Sequence, residues 1–209
     1  MDDTAEKEQY CKHLLTSDKG QMPRRPDTRQ RIERAALSLF AAKGVDATTT
    51  KDIAAEVDIS EAAIYRHFRS KDELTWHLFS THYVELAGHI ERVTAGTPAL
   101  ADRIERVVAL FCDLFDREPA LFTFILLTQH GQLGRVTEDM PTPVESLRRM
   151  FQAGIDGGEC RGTDPDLLTA MALGMVTQPA TFAIYGRIPR PLGRLAPELT
   201  EAVKRAVLR

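Results

Sequence analysis

Residues 48–74 read TTTKDIAAEVDISEAAIYRHFRSKDEL, and the fold of the rest is read outward from them. A short helix can open at Thr49 or Thr50, because a threonine hydroxyl satisfies an orphan backbone N–H and Asp52 lies three residues after Thr49. Ile53, Ala54 and Val57 then share an inward face. Asp58 stands at the turn, where aspartate, asparagine or glycine tolerates a left-handed backbone, and Ile59 plugs the corner. Ser60 caps a second helix in which Ile64 and Phe68, four apart, face the same core. Ser70 and Glu73 have capping-box spacing, so a third and longer helix follows from Lys71 towards Val93.

At about 100° per residue, Ala62, Ala63, Tyr65 and Arg66 point away from Ile64 and Phe68. Two small residues beside an aromatic and a cation suit a DNA major groove. The alanines let the backbone approach base edges, while Tyr65, Arg66 and His67 reach flanking phosphates. Glu61 has two readings: it accepts from a cytosine amino group, or it caps the helix dipole.

Thr49-Thr50-Lys51-Asp52-Ile53-Ala54, Ile59-Ser60, Ile64-Tyr65, Phe68 and Ser70-Lys71-Asp72-Glu73-Leu74 together resemble the N-terminal DNA-binding domain of TetR-family transcriptional regulators. The resemblance runs from about Thr28 to Leu74. It departs at Asp58, where the family usually has glycine, at Arg66-His67, where a histidine and an aromatic are frequent, and at Val45, where the family often has an aromatic. It implies base contacts from Glu61, Ala62 and Ala63. It implies phosphate contacts from Thr50, Ser60, Tyr65, His67 and Lys71, with Lys51 on bases or backbone.

The chain has 209 residues, 43% of them hydrophobic, which is enough for a substantial core. Apolar residues recur at helical rather than strand spacing, so an all-α fold is expected. Net charge is −3, so cations for DNA must be placed locally. Arg24, Arg25, Arg29, Arg31, Arg34, Lys51, Arg66, Arg69 and Lys71 supply such a concentration. Cys11, Cys112 and Cys160 are too far apart and too few for a disulfide framework or zinc knuckle, which fits a reducing cytoplasm. No uninterrupted apolar run is long enough for a bilayer, and no membrane association is expected. His77, His82, His89 and His130 lack metal-ligand spacing; His82 and His89 lie roughly 10 Å apart along a helix. Without a nucleophile elbow or a phosphate loop, neither enzymatic activity nor a cofactor is expected.

Three segments result. Residues 1–26 read as a flexible arm, either a solubilising tail or one whose Arg24 and Arg25 enter the minor groove. Residues 27–73 form a three-helix domain with a helix-turn-helix, its first helix capped by Asp27 with Gln30 in the reciprocal position and stopped at Gly44. Residues 74–209 form a helical domain. There Thr97-Pro98 and Asp164-Pro165 open helices, Leu121 to Leu127 is apolar almost all round, and Pro179 is expected to kink its helix.

The resemblance implies that the second domain binds a small-molecule effector and pairs with a second copy. Phe111, Phe115, Phe122, Met150, Phe151, Met175, Phe182 and Tyr185 are candidate pocket walls, with Gln129, His130 and Gln178 as polar anchors. Leu167, Met171, Gly174, Leu199, Val203 and Ala206 are candidates for the dimer interface. The expected function is a sequence-specific regulator of double-stranded DNA, a repressor released by an apolar or amphipathic ligand. The alternative is a DNA-bound scaffold that recruits a protein partner.

Overall fold

The computed structural model describes residues 27–209. The arm expected at 1–26, with Cys11, Arg24 and Arg25, lies outside them. Among the described residues every regular element is helical, and most helices open where the chain offers a cap. Helix α1 (Thr28–Lys43) is one exception, since Asp27 precedes it without the expected side-chain bond. Helix α2 (Thr50–Val57) starts from a complete capping box: Thr49 Oγ1 accepts from Asp52 N, and the Asp52 carboxylate accepts from Thr49 N at 2.9 Å. It ends at Asp58 with φ 54° and ψ 55°, the left-handed conformation expected of the turn. Ser60 Oγ accepts from Ala63 N to open α3 (Glu61–Tyr65).

Helix α4 (Lys71–Thr94) begins on a box shifted by one residue. Ser70 Oγ accepts from Glu73 N, whereas the Glu73 carboxylate turns to Arg69 N at 2.7 Å. Helix α5 (Leu100–Arg117) starts later than Thr97-Pro98 suggests. The cap is tertiary, because Leu100 N donates to the Glu159 carboxylate at 2.9 Å, fifty-nine residues away. Thr97 Oγ1 is instead buried with no partner among the described residues. Four helices follow: α6 (Pro119–Gln132), α7 (Pro143–Asp156), α8 (Pro165–Ile184) and α9 (Ala196–Val207). Helix α8 is not interrupted at Pro179.

Two clusters of buried side chains share two helices. The first gathers Ile32 and Phe40 of α1, Ile53 of α2, Ile64 of α3, Phe68, and Leu74 to Tyr83 of α4. The second gathers Leu86, Ile90 and Val93 of α4 with side chains from α5, α7, α8 and α9. Helix α6 divides in the same way: Phe122 belongs to the second cluster, Phe124 and Ile125 to the first. The Phe124 ring stacks on Phe40 at 5.8 Å, which bolts α6 onto α1. Leu127 corrects the expectation of all-round burial, being 51% exposed on the outer side of α6.

Helix α8 alone among the described residues is long and apolar enough, by length and composition, to cross a membrane. Only a third of that stretch is buried within the chain. Leu168, Ala172, Val176 and Ala180 face the core. Its other side is a stripe at helical spacing: Leu167, Met171, Gly174, Gln178, Phe182 and Tyr185, of which Leu167, Phe182 and Tyr185 are exposed large hydrophobics.

Because Asp58 adopts the left-handed conformation and its side chain makes no hydrogen bond among the described residues, Asp58→Gly is expected to stabilise the chain by about 1 kcal/mol. Denaturant unfolding checks this; a lower midpoint in the glycine variant refutes it.

Candidate nucleic-acid interface and interior cleft

The helix-turn-helix presents a connected polar surface. Thr50, at the start of α2, donates from Oγ1 to the Glu61 carboxylate on α3, and Tyr65 Oη lies 3.4 Å from the same hydroxyl. Glu61 therefore cross-links the two helices, a role that its position in the sequence did not announce, while Thr50 is the group that meets Tyr65. Tyr65 is 49% exposed, and Ala62, Arg66 and Lys51 are exposed beside it. The Ser60 hydroxyl spends only its acceptor on the cap, leaving its proton free to donate, and His67 is half-buried.

Two expected DNA contacts need correction. Ala63 is only 6% exposed, inside the hairpin rather than on its outer face. Its one-carbon side chain, on the flank of a five-residue helix, does not clear its neighbours. Lys71 is half-buried, and its ammonium donates to Val45 O at 2.7 Å, Thr48 O at 2.8 Å and Asp46 O at 3.5 Å. With three donors on three carbonyls, it clasps the α1–α2 loop to the start of α4.

Other cations are similarly committed. Arg31 donates to Val57 O and so satisfies the last turn of α2. Arg29 pairs with Glu33 at 3.0 Å and lies over the Phe68 ring at 4.6 Å, and His77 of α4 reaches the same Glu33 oxygen at 2.9 Å. Among the described residues the uncommitted positive charge of the expected cation cluster is thus thinner than composition suggested, and rests on Arg34, Lys51, Arg66 and Arg69. One contact had no signal in the sequence. Arg135, in the 3₁₀ turn Leu133–Arg135 after α6, pairs with Asp72 at 3.1 Å and covers the Trp76 ring at 4.6 Å. The far end of α6 is therefore latched to the first turns of α4.

Of the expected pocket residues, Phe111, Phe122 and Gln129 come together. With Tyr83 and Leu86 of α4, Leu114 of α5, Val144 of α7 and Thr177 of α8 they line a narrow cleft of about 60 Å³, partly open to solvent. Met150 and Phe151 line a second, wholly apolar void with Phe111 and Val203. The others do not line the cleft. Phe115 is core, covered by the Arg190 guanidinium at 4.7 Å, and Met175 packs against the core. His130 is exposed at the end of α6. Gln178, Phe182 and Tyr185 lie on the outer stripe of α8, because the face of that helix that reaches the cleft carries Leu173 and Thr177.

Among the interface candidates, Leu167 and Gly174 are exposed, and Met171, Leu199 and Ala206 half-buried. Val203 is 1% exposed and belongs to the core of α9. Cys112 is buried core; burial and the nearby Asp116 push its thiol up to about 12, so it stays protonated and unreactive. No cluster of metal-ligating side chains occurs among the described residues.

Residues 32–75 match the family model for bacterial regulatory proteins of the tetR family. The helix-turn-helix domain belongs to that family. Two Bacillus subtilis relatives are uncharacterised HTH-type transcriptional regulators. YvkB is 47% identical over 116 residues, covering 50% of this chain and 60% of the relative; YerO is 34% identical over 110 residues, covering 50% and 36%. The match thus spans less than two thirds of either relative. The nucleoid occlusion factor SlmA of Salmonella is 28% identical over 150 residues, covering 68% of this chain and 75% of SlmA. Among solved structures, the TetR-family regulator PfmR of Thermus thermophilus superposes with a TM-score of 0.67 at 24% identity, covering 88% of this chain and all of PfmR. The fatty acid degradation regulator FadR of Bacillus halodurans gives 0.75 at 15% identity, covering 87% and 96%. At such identities the likeness concerns the TetR fold alone.

The clasp gives a test. Lys71→Met is expected to destabilise the TetR-type domain by about 1–2 kcal/mol, since it leaves the Val45 and Thr48 carbonyls without their charged donor. Equal unfolding midpoints for wild type and variant would remove the clasp.

Proposed function

We propose that the protein is a homodimeric, sequence-specific DNA-binding regulator, a repressor released from a palindromic operator by a small molecule in the interior cleft. The observation that carries the DNA-binding part is the exposed surface of Ala62, Tyr65 and Arg66 on a hairpin clamped by Thr50–Glu61, Arg31 and Lys71. A rigid mount matters because base edges discriminate only when donors and acceptors are held within hydrogen-bonding geometry.

Dimerisation follows from two considerations. One recognition helix of five residues reads few base pairs, whereas two related by a two-fold axis read both halves of a palindrome. The outer stripe of α8 supplies an apolar surface of the kind that a second copy covers. Release follows from the helices that the two cores share. The cleft is walled by α4 and α6, and both helices also carry side chains of the core beneath the recognition helix. A ligand that prefers one arrangement of α4 and α6 biases the position of the recognition helices; a ligand indifferent to both shifts nothing.

The scaffold reading draws on the likeness to a nucleoid occlusion factor. A cleft with an unpartnered polar group favours the effector reading.

Fragments selected from the organism's own DNA, followed by titration of the bound sequence, test the proposal. Tyr65→Ala is expected to weaken operator binding about tenfold, and Arg66→Ala to lower the salt slope by about one. Wild-type affinity and slope in both variants, at matched salt, would disprove the assigned surface. Leu167→Glu with Phe182→Glu is expected to yield monomers in sedimentation; a persistent dimer would place the interface elsewhere.

A further inference from the structure

We propose that the cleft takes an uncharged, mainly hydrocarbon molecule bearing one hydroxyl or carbonyl oxygen, bound by the Tyr83 phenol; the inference rests on the effector reading above. No side chain that lines the cleft carries a charge. An ion placed among such walls loses its hydration without gaining a counter-charge, so charged ligands are disfavoured on desolvation grounds.

Tyr83 gives the second and independent observation. It is 4% exposed, it lines the cleft, and its hydroxyl has no hydrogen-bond partner among the described residues. The hydroxyl is not fully occluded, so it reaches solvent through the open cleft, and a ligand oxygen there would take the place of water as its acceptor. Burial raises the phenol above its ordinary value, which keeps the proton in place at neutral pH. Two further lining residues complement it. Gln129 Nε2 donates to Leu126 O at 3.2 Å, and Thr177 Oγ1 donates to Leu173 O at 2.8 Å. Both are left with oxygen lone pairs, so a ligand hydroxyl accepts from Tyr83 and has acceptors for its own proton in the same cleft.

The same residue carries a built-in reporter. Tyr83 stacks on Phe79 at 4.8 Å, and Phe79 on Trp76 at 6.1 Å, forming an aromatic ladder along α4. Trp76 is the only tryptophan in the sequence. Occupancy at Tyr83 is therefore read as a change in Trp76 emission, with calorimetry as a check.

The experiment compares 1-decanol, decanoate and decylammonium on the full chain, alongside Tyr83→Phe and Leu173→Trp, the latter chosen to fill the cleft. Decanol is expected to bind at least about tenfold more tightly than either ion. Tyr83→Phe should weaken it about five- to tenfold, the worth of one hydrogen bond, and Leu173→Trp should abolish it. Either ion binding as tightly as decanol, or decanol affinity unchanged in Tyr83→Phe, overturns the inference while leaving the cleft as effector site if Leu173→Trp still blocks binding. Binding of all three probes undiminished in Leu173→Trp, or binding of none to the wild type, overturns the inference and the effector reading together.

Discussion

The stack of Phe124 on Phe40 is the contact on which the arrangement of this molecule depends. It pins α6, which the second core anchors through Phe122, to α1 of the DNA-binding domain. It sits within a wider seam, since Leu121, Ile125, Val136 and Met140 pack against the same core. With it, the recognition helix stands on a base that includes two side chains from the second domain, so a boundary at residue 73 divides the chain but not its core. The latch of Arg135 on Asp72 and Trp76 repeats the join at the far end of α6.

The helix-turn-helix is held by a different kind of contact. Its apolar centre is small, and its shape relies on charged or hydroxyl groups satisfying backbone and side-chain partners: Lys71 on the α1–α2 loop, Arg31 on Val57 O, Thr50 on Glu61. These residues are polar and near the surface, where the same chemistry serves equally to grip phosphate. That double suitability explains why sequence reasoning assigned Lys71 to DNA. An ammonium has three donors, and the fold brings three carbonyls to it.

Helix α8 shows the limits of pattern reading from the other side. Both of its long faces are apolar, so composition does not say which is inward. The structure buries Leu168, Ala172, Val176 and Ala180 and leaves Leu167, Phe182 and Tyr185 outside. Phe182 and Gln178 thereby leave the pocket and join the stripe proposed for the second copy. Tyr83 of α4, which no motif singled out, joins Gln129 and Thr177 as a polar group of the cleft.

The sequence by itself determined the elements whose cause is local. The Thr49–Asp52 box, the left-handed Asp58, the Ser60 cap and the Ile64–Phe68 spacing each involve residues within four positions, and all appear as read. Hence the helix-turn-helix was legible from residues 48–74, and the all-helical class from the apolar spacing of the whole chain. The tertiary structure alone decided what depends on distant partners: the Glu159 cap on α5, the Lys71 clasp, the outward face of α8 and the cleft beside Tyr83. Helical periodicity fixes which residues share a face, but not which of two apolar faces a neighbouring helix will cover. That choice is made only when the helices pack.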